Sequence, residues 1–363
     1  MESLKQLPTV RRALLHRKLP SDRVECALCE RRCVVPPGST GFCGTRMNIE
    51  GELFTLVFGD LSSIESRPIE IKPFFHFWPG STALTFSTWS CNFRCPWCQN
   101  WTLSRKLPQP ESGAFTSPEL VVRTAMVRGD EGLCVSFQEP TLLAEFAAET
   151  FSAGREQGLY TCYVSNGYMT KEALTLLKDS GLTGLKIDVK GDADTYRNYC
   201  GGLDVEKVWR NAAAAKSMGI HVEIVNLVVT DVNDGEQQIT SLVERHAKEL
   251  GPEIPLHFTR YYPAYEFSNP PTKVETLEKA RQTAWKAGIL FPYLGNVPGH
   301  RYENTYCPSC GELLIERLGA THMNSRLTKE TKCPRCRRAI PITGRMIEKR
   351  PNASSRDRTN IFC

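Results

Sequence analysis

Three cysteines stand together in the stretch SCNFRCPWCQNW (residues 90–101), with the spacing C-x3-C-x2-C. Three thiolates are one fewer than a closed tetrahedral zinc site takes and one more than a disulfide needs. They suit a cubane [4Fe–4S] cluster, in which Cys91, Cys95 and Cys98 each hold one iron and the fourth iron stays open to another ligand. No histidine or further cysteine lies nearby to complete a zinc site. The spacing therefore predicts an iron–sulfur cluster with one open corner.

A second cysteine group lies in the loop-rich stretch CALCERRCVVPPGSTGFCGTR, with the spacing Cys26-x2-Cys29-x3-Cys33-x9-Cys43. Its prolines and glycines leave it little apolar surface, so we expect a bound metal to order it. The turns expected at these prolines and glycines, together with the distant fourth cysteine, favour zinc as the bound metal. An auxiliary iron–sulfur cluster is the alternative. We call this four-cysteine group the knot.

The last cysteine group has the spacing Cys307-x2-Cys310-x22-Cys333-x2-Cys336, and both of its pairs read C-P-x-C. Two such pairs at this separation are typical of a zinc ribbon with a closed, structural Zn²⁺. Four core cysteines without metal fit poorly, because the surrounding residues are polar. We therefore expect a zinc ribbon near the end of the chain.

Between the two four-cysteine groups, six short β-branched or aromatic runs alternate with six longer helical patterns. The predicted strands are 83–88, 133–137, 160–165, 184–189, 220–229 and 255–259, and the predicted helices are 117–128, 141–157, 171–181, 204–219, 236–250 and 273–288. This alternation indicates βαβ units and a parallel sheet, in a partial barrel or a doubly wound arrangement. Chemistry in such folds collects at the carboxyl ends of the strands. Polar side chains follow the predicted strands here and are expected to form one buried site: Glu139, Ser165, Asn166, Asp188, Lys190, Asn226, His257 and Arg260.

Composition limits the classes of protein that fit. The chain has 363 residues, 41% of them hydrophobic and 23% charged, with a formal net charge of +5. No apolar run has the roughly 18 residues that a membrane helix needs, and the charged N-terminus lacks the apolar core of a secretory signal. We therefore expect a cytoplasmic protein without a membrane partner. The basic ends carry no nucleic-acid recognition motif, so nucleic acid is a disfavoured partner.

The motifs together resemble the radical S-adenosylmethionine (SAM) superfamily, in which C-x3-C-x2-C follows the first strand of a partial (βα)6 barrel. Within it the chain is similar to the pyruvate formate-lyase activating enzyme-like group, and most of all to the branch named AmmeMemoRadiSam. The matching stretches run from about residue 24 into the ribbon and include CALCERRC…GFCGTR, CNFRCPWCQNW, EPT, SNGYMT, DVKGD…YRNYCGG, HFTRYYP, GNVPGH and ENTYCPSCGELLIER.

The resemblance implies that Cys91, Cys95 and Cys98 bind the cluster and that its open iron binds SAM. One electron then splits SAM into methionine and a 5′-deoxyadenosyl radical, which removes a hydrogen atom from the substrate. It also implies that Glu139 receives the SAM amino group. Gln138 departs from the small residue common at its place in that motif, so close backbone approach there is in doubt.

Further roles follow from the same resemblance. Ser165 and Asn166 match a ribose-contacting turn, and Asp188 and Lys190 match an Asp-x-Lys pair near the SAM carboxylate and the substrate. The remaining candidates have a plain structural alternative. Phe93 and Trp97 would shield the cluster and stack near adenine, or only pack. Asn226, His257 and Arg260 would contact SAM or substrate, or only make structural hydrogen bonds. Cys200 would donate a hydrogen atom or hold substrate, or be a buried thiol.

The sequence thus predicts an oxidoreductase of the activating-enzyme type that acts on a protein or peptide, by glycyl radical formation or another C–H modification. The alternatives are radical C-methylation assisted by cobalamin, for which no cobalamin-binding segment is recognisable, modification of a small metabolite, and, least favoured, a nucleic-acid-binding zinc-ribbon module. The expected partners are a flavodoxin- or ferredoxin-type electron donor and AMMECR-type and Memo-like proteins. The predicted division is an N-terminal four-cysteine segment (1–80), the barrel (81–300), the ribbon (301–345) and a basic tail (346–363).

Overall fold

A computed structural model describes residues 2–319 and 321–348. The N-terminal segment forms two small antiparallel sheets, in the strand orders β1-β6-β5 and β2-β3-β4. Their strands are β1 (Arg11–Arg12), β2 (His16–Lys18), β3 (Val24–Cys26), β4 (Val34–Val35), β5 (Arg46–Ile49) and β6 (Glu52–Thr55). Strands of two to four residues cannot build a core of their own. The segment instead packs on the main domain.

The central element is an eight-stranded sheet in which the strands follow one another in chain order. They are β7 (Ser63–Pro68), β8 (Thr82–Ser87), β9 (Gly132–Val135), β10 (Tyr160–Ser165), β11 (Gly184–Asp188), β12 (His221–Val228), β13 (Leu256–Arg260) and β14 (Pro292–Gly295). Strands β8 to β14 pair in parallel, and β7 adds to β8 antiparallel. All six predicted strands are confirmed in this sheet, and β7 and β14 are additions to it.

Within the described residues, eight α-helices connect the strands. They are α1 (Trp101–Ser104), α2 (Pro118–Arg128), α3 (Ala144–Glu156), α4 (Lys171–Asp179), α5 (Ala193–Tyr199), α6 (Val205–Ser217), α7 (Glu236–Glu249) and α8 (Val274–Lys286), and single 3₁₀ turns cover Glu2–Gln6, Ile69–Ile71, Pro140–Leu143 and Arg301–Glu303. Side chains at the N-caps explain several starts: Ser117 caps α2 and Thr170 caps α4. Gly129, at φ 72°, ends α2 in the left-handed conformation that glycine adopts without strain.

Alternation along the strands decides what each face of the sheet carries. In β11, Leu185 and Ile187 are fully buried in the apolar core that the sheet shares with its helices. Lys186 and Asp188 lie on the opposite face and line a cavity. On the face that carries Lys186, the neighbouring strand β10 adds apolar residues, Cys162 and Val164, so this face holds polar groups and an apolar cluster together.

The lower end of the sheet, at the amino ends of its strands, is closed by aromatic rings and one carboxylate. Glu223 accepts hydrogen bonds from the backbone N–H groups of Phe75 and His76 and from Nε2 of His221 and of His257, at 2.7 to 3.0 Å. Burial alone would raise the pKa of Glu223, but the hydrogen bonds from the two histidines hold it well below its usual range.

The C-terminal ribbon packs against this lower end. Its three strands are β15 (Thr305–Tyr306), β16 (Leu313–Leu318) and β17 (Thr321–Ser325), in one antiparallel sheet. Arg317 donates to the carbonyl of Phe75 at 2.8 Å, and Thr343 N–H donates to the carbonyl of His76 at 2.8 Å. The ribbon therefore lies at the end of the sheet opposite to the carboxyl ends of the strands.

Within the described ranges, no helix has the length and apolarity needed to cross a membrane. Most of the predicted basic tail (349–363) lies outside the described residues, as does Cys363.

Candidate active site

A cavity of about 680 Å³ opens at the carboxyl ends of the parallel strands. All three cysteines of the loop after β8 line it. So do residues that follow β9, β10 and β11. From the predicted set the cavity gathers Cys91, Cys95, Cys98, Phe93, Trp97, Glu139, Asn166, Asp188 and Lys190. The expected convergence of polar side chains on one cavity therefore holds for Glu139, Asn166, Asp188 and Lys190 and not for the other polar residues named from the sequence.

Hydrogen bonds fix the backbone of the three-cysteine loop. Arg105 donates to the carbonyls of Phe93 and Cys95, at 3.0 and 2.9 Å. The N–H of Phe93 points at Sγ of Cys91, at 3.3 Å. A backbone donor aimed at a sulfur stabilises the thiolate form, which is the form that ligates a metal.

The loop also fits the [4Fe–4S] group in the spacing of its sulfurs. Cys91, Cys95 and Cys98 all face the cavity, yet they do not form a group with all ligand atoms within 4.8 Å of one another, which the ribbon cysteines do. A single zinc ion pulls its thiolates together, whereas a cubane places each thiolate on a different iron. The residues present therefore fit a cluster whose remaining corner faces the cavity.

Glu139 is a buried carboxylate that four donors hold in place. Its oxygens accept from the hydroxyls of Thr141 and Ser165 and from the N–H groups of Thr141 and Asn166, at 2.5 to 3.1 Å. No Lys or Arg of the described residues forms an ion pair with it, and burial raises its pKa despite these hydrogen bonds. A fixed, unpaired carboxylate on the wall of a cavity is suited to bind a cationic ligand group such as an ammonium.

The residues just before Glu139 are strained. Phe137 has φ 76°, in the left-handed region that costs a non-glycine residue about 1–2 kcal/mol. Asn100 Nδ2 donates to its carbonyl at 2.6 Å, and Lys72 Nζ lies 4.1 Å from the centre of its ring. Both contacts hold the turn that presents Glu139. The side-chain amide of Gln138 lines the cavity with neither atom hydrogen-bonded.

A row of three charged side chains extends from β11. Lys186 Nζ donates to Oδ1 of Asp188 at 2.6 Å, and Lys190 Nζ lies 3.3 Å from Oδ2. Burial would raise the pKa of Asp188, but the two ammonium groups hold it below its usual value. The pKa of Lys190 is raised, because its attraction to Asp188 exceeds the cost of burial. Burial lowers the pKa of Lys186, and its attraction to Asp188 opposes this shift.

Cys200 is fully buried beside the three-cysteine loop, with its Sγ 3.8 Å from Sγ of Cys95. The hydrogen bond between the two thiols lowers the pKa of Cys95 to about 7. Cys200 does not line the cavity. Phe93, in the three-cysteine loop, does line the cavity, and its ring packs against Tyr168 and Tyr196.

Trp97 also lines the cavity and packs against Tyr199 and Phe267. Phe93 and Trp97 thus combine hydrophobic packing with a position on the cavity wall. Their predicted role in shielding the cluster is therefore compatible with the structural alternative of packing.

Besides Cys200, four predicted site residues do not line the cavity. Ser165 points away from it and hydrogen-bonds Glu139 at 2.8 Å. Asn226 donates to the carbonyl of Val189 at 2.9 Å, and Arg260 donates to the carbonyl of Thr272 at 2.8 Å. His257 is at the lower end, 2.7 Å from Glu223. Alternation explains the placement of Asn226 and Arg260, since Leu227 and Thr259 are the residues of β12 and β13 that reach the cavity. His257 shares the face of Thr259 but lies two residues nearer the amino end of β13.

Sequence reasoning missed three basic residues of the cavity: Arg67, Lys72 and Lys186. Lys186 could have been found, because it lies two residues before Asp188 and therefore on the same face of the strand. Arg67 and Lys72 precede the first predicted strand, and no local pattern placed them at the site.

The ribbon cysteines form a compact tetrad. The sulfurs of Cys307 and Cys336 are 3.5 Å apart, and those of Cys310 and Cys333 are 3.6 Å apart. Four ligands at Zn–S distances of about 2.3 Å have edges close to this length. The tetrad is a metal-binding site with the geometry of a closed zinc centre. In contrast, the knot cysteines surround a second, smaller cavity.

Comparison with known proteins agrees with this site. The family model of the radical SAM superfamily matches residues 87–243. An uncharacterised protein of Methanocaldococcus jannaschii is 40% identical over 335 residues, which cover 92% of this chain and 99% of that protein. The GTP 3′,8-cyclase of Pasteurella multocida is 22% identical over 253 residues, which cover 64% of this chain and 74% of the cyclase.

Two solved structures are among the matches. Streptococcus suis SuiB bound to S-adenosylmethionine has a TM-score of 0.48 and 13% identity, and the match covers 64% of this chain and 58% of SuiB. A domain of the pyruvate-formate lyase-activating enzyme of Bacteroides vulgatus has a TM-score of 0.39 and 20% identity, and the match covers 46% of this chain and 99% of that domain.

Proposed function

We propose that this chain, which belongs to the radical SAM superfamily, cleaves SAM reductively and uses the resulting radical to abstract a hydrogen atom from a protein or peptide substrate. Superfamily membership implies an enzyme that uses SAM and a [4Fe–4S] cluster. The proposal rests on one observation, which is that the same cavity is lined by Cys91, Cys95, Cys98 and Glu139.

The roles of the residues follow from their chemistry. The three cysteines hold the cluster, which when bound supplies the electron that splits SAM into methionine and the 5′-deoxyadenosyl radical. Glu139 binds the SAM ammonium, and Ser165 and the Asn166 N–H keep its carboxylate oriented. Lys190 lies beside Asp188 on the opposite wall and is placed to bind the SAM carboxylate.

The aromatic part of the loop separates the reaction from water. Trp97 and Phe93 are almost fully buried, at 3% and 2% exposure, while they also face the cavity. Packing of this kind keeps a reactive carbon radical away from solvent. Cys200 lies behind the loop rather than on the cavity wall, so we assign it a positioning role at Cys95.

A protein or peptide substrate fits the activating-enzyme-like resemblance of the sequence, and we retain it as the leading proposal. The same resemblance leads us to propose membership of the AmmeMemoRadiSam branch, AMMECR-type and Memo-like partners, and a flavodoxin- or ferredoxin-type electron donor. We also propose that the parallel sheet has the partial (βα)6 barrel form of radical SAM enzymes, with the knot as a metal-bound module and zinc in the ribbon.

One observation favours a small anionic substrate as the second candidate. Lys72 is 4% exposed, lines the cavity, and has no carboxylate partner among the described residues. Burial lowers its pKa, and an anionic ligand group would restore it. The free amide of Gln138 lies on the same wall. The names of the distant GTP 3′,8-cyclases give a nucleotide, an anionic small molecule, as their substrate.

The test is anaerobic reconstitution with iron and sulfide, followed by SAM, a strong reductant and deuterium-labelled extract separated into macromolecules and metabolites. Deuterium in 5′-deoxyadenosine from the macromolecular fraction supports the leading proposal. Deuterium from the metabolite fraction alone selects the second candidate. If 5′-deoxyadenosine is absent under all reducing conditions, the catalytic proposal is wrong.

A further inference from the structure

The knot cysteines surround a small cavity of their own. Cys26, Cys29, Cys33 and Cys43 all line it, and Cys26, Cys29 and Cys43 are at least nine-tenths buried. The cavity is separate from the one at the strand ends, and it lies where the N-terminal segment packs on the main domain. Four thiols around one buried space make a metal site.

The knot sulfurs are spaced more widely than those of the ribbon. In the described part of the chain, the ribbon tetrad is the one group of three or more possible ligands whose atoms all lie within 4.8 Å of one another. No three of the knot sulfurs meet this condition. The three loop cysteines at the active site show the same wide spacing. The knot thus resembles the iron–sulfur loop rather than the ribbon.

Two buried nitrogen donors facing the knot form no hydrogen bond of good geometry in the described residues. Arg46 is 1% exposed and its two terminal nitrogens bind Glu145 at 2.5 and 2.6 Å, but its Nε has no acceptor. Nδ2 of the fully buried Asn92 forms no hydrogen bond of good geometry either, and the side chain lies beside the Cys29 thiol. Both side chains line the knot cavity. Unpaired donors at a buried site call for an acceptor, which thiolates and inorganic sulfides provide.

The knot is joined directly to the three-cysteine loop. The hydroxyl of Ser90 donates to the carbonyl of Cys43 at 2.6 Å, and Arg31 Nε donates to the carbonyl of Asn92 at 2.6 Å. Ser90 and Asn92 are the residues on either side of Cys91. One hydrogen bond therefore links the knot ligand Cys43 to Ser90, the covalent neighbour of Cys91. A second links Arg31 to Asn92, the neighbour of Cys91 on the other side.

We propose that the knot binds a second [4Fe–4S] cluster, in place of the zinc that its sequence spacing favours, and that this cluster passes electrons to the one at the active site. The four thiols lose their protons on ligation. In each transfer one electron from a reduced protein donor of the flavodoxin or ferredoxin class converts the knot cluster from the 2+ to the 1+ state. The same electron then reduces the neighbouring cluster and returns the knot to 2+. The binding site stands on the knot geometry alone, whereas the transfer role rests on the proposed function.

The site is tested on the full-length protein, reconstituted anaerobically, by counting iron, acid-labile sulfide and zinc. The variant Cys91→Ala, Cys95→Ala, Cys98→Ala leaves every knot residue intact. We expect it to retain about four iron and four sulfide per chain, with one zinc, whereas the wild type holds about eight iron. The proposal is overturned if the triple variant holds no sulfide, and a second zinc in its place would identify a zinc knot.

A matched knot variant, Cys29→Ala with Cys33→Ala, should lose about four iron and keep the zinc of the ribbon. If this variant does not fold, the triple loop variant still decides the question, because the other four-thiol group among the described residues, the ribbon, holds its sulfurs too close together for a cubane. A measurement of acid-labile sulfide distinguishes an iron–sulfur cluster from a single iron ion bound in the ribbon, because only the cluster contains sulfide.

Electron transfer is tested by low-temperature electron paramagnetic resonance of the fully reduced protein. Two adjacent reduced clusters should interact, so the wild-type spectrum should be split or broadened relative to the sum of the two variant spectra. A wild-type spectrum equal to that sum would overturn the transfer role. Added SAM should alter the spectrum of the knot variant. If it does not, the proposed function fails while the second cluster stands.

Discussion

The hydroxyl of Ser165 donates to Oε1 of Glu139 at 2.8 Å, although Ser165 itself does not line the cavity. The loop after β10 thus orients the carboxylate that follows β9, so the proposed binding of SAM by Glu139 would depend on both loops. Oriented ligands of this kind reduce the cost of binding, since the protein has already fixed the donor and acceptor positions.

Removal of the carboxylate charge should weaken SAM binding strongly. Glu139→Gln keeps the shape of the side chain, so we expect a loss of roughly 1.5–3 kcal/mol, the value of a hydrogen bond to a charged group. Ser165→Ala removes only an orienting bond and should cost roughly 1 kcal/mol. Equilibrium dialysis with labelled SAM measures both. Ser152→Ala, on the exposed face of α3, is the control. Equal affinities for wild type and Glu139→Gln would remove Glu139 from the SAM site.

Asp188→Asn should destabilise the protein, because it leaves the ammonium groups of Lys186 and Lys190 facing each other without the carboxylate. We expect a loss of about 1–3 kcal/mol in the free energy of unfolding, measured by urea denaturation. The exposed pair of Asp194 and Arg197 provides the control, since Asp194→Asn should change stability by less than about 0.5 kcal/mol. A similar small effect for both variants would show that the row of charges does not stabilise the fold.

Loss of the ribbon metal should affect stability without emptying the active site. Cys310→Ser breaks a tetrad that packs on the lower end of the sheet, remote from the cavity. We expect one zinc fewer per chain and a lower melting temperature, with the iron and sulfide content unchanged. Elemental analysis and calorimetry provide the measurements. Loss of iron together with zinc would contradict the separation of the two sites.

Two buried histidines should make stability depend on pH. Burial lowers the pKa of His246 and of His76 to about 3, from an ordinary value of 6.5. The unfolded chain therefore binds more protons between these values, and stability present above pH 6.5 is lost as the pH falls. Each histidine contributes about 1.4 kcal/mol per pH unit in that range.

His246→Leu tests this dependence. The ring of His246 has no hydrogen-bond partner in the described residues, so an apolar replacement of similar size leaves no group unpaired. The variant should lose less stability than the wild type between about pH 6.5 and pH 5, as measured by urea denaturation at each pH. Parallel pH curves for the two proteins would refute the assignment.

The sequence predicted the strands well because their apolar runs are continuous and are separated by long helical patterns. The predicted strand 160–165 has the bounds that the structure gives to β10, Tyr160–Ser165. Strand β14 was missed, since its four residues, Pro292–Gly295, begin at a proline and follow α8 closely. Spacing also predicted the ribbon tetrad, because ligand patterns are local in sequence, while the metals of the three-cysteine loop and the knot stay predictions.

The parts of the site that were missed depend on tertiary packing. His257 was placed at the rim from its position near a strand end, but a shift of two residues along β13 separates it from Thr259 at the cavity. Lys72 reaches the cavity from a turn before β8, and the orienting bond of Ser165 joins two loops. Contacts between segments distant in sequence leave no periodic pattern to read.

The most direct test of the central claim is SAM cleavage by the reconstituted wild type and by Cys91→Ala. Both proteins are treated anaerobically with iron, sulfide, SAM and a strong reductant, and 5′-deoxyadenosine and methionine are quantified. We expect equal amounts of the two products from the wild type and none from the variant, which should keep its zinc and its fold. Undiminished 5′-deoxyadenosine from Cys91→Ala, or none from a wild type that holds a full complement of iron and sulfide, would contradict the proposed function.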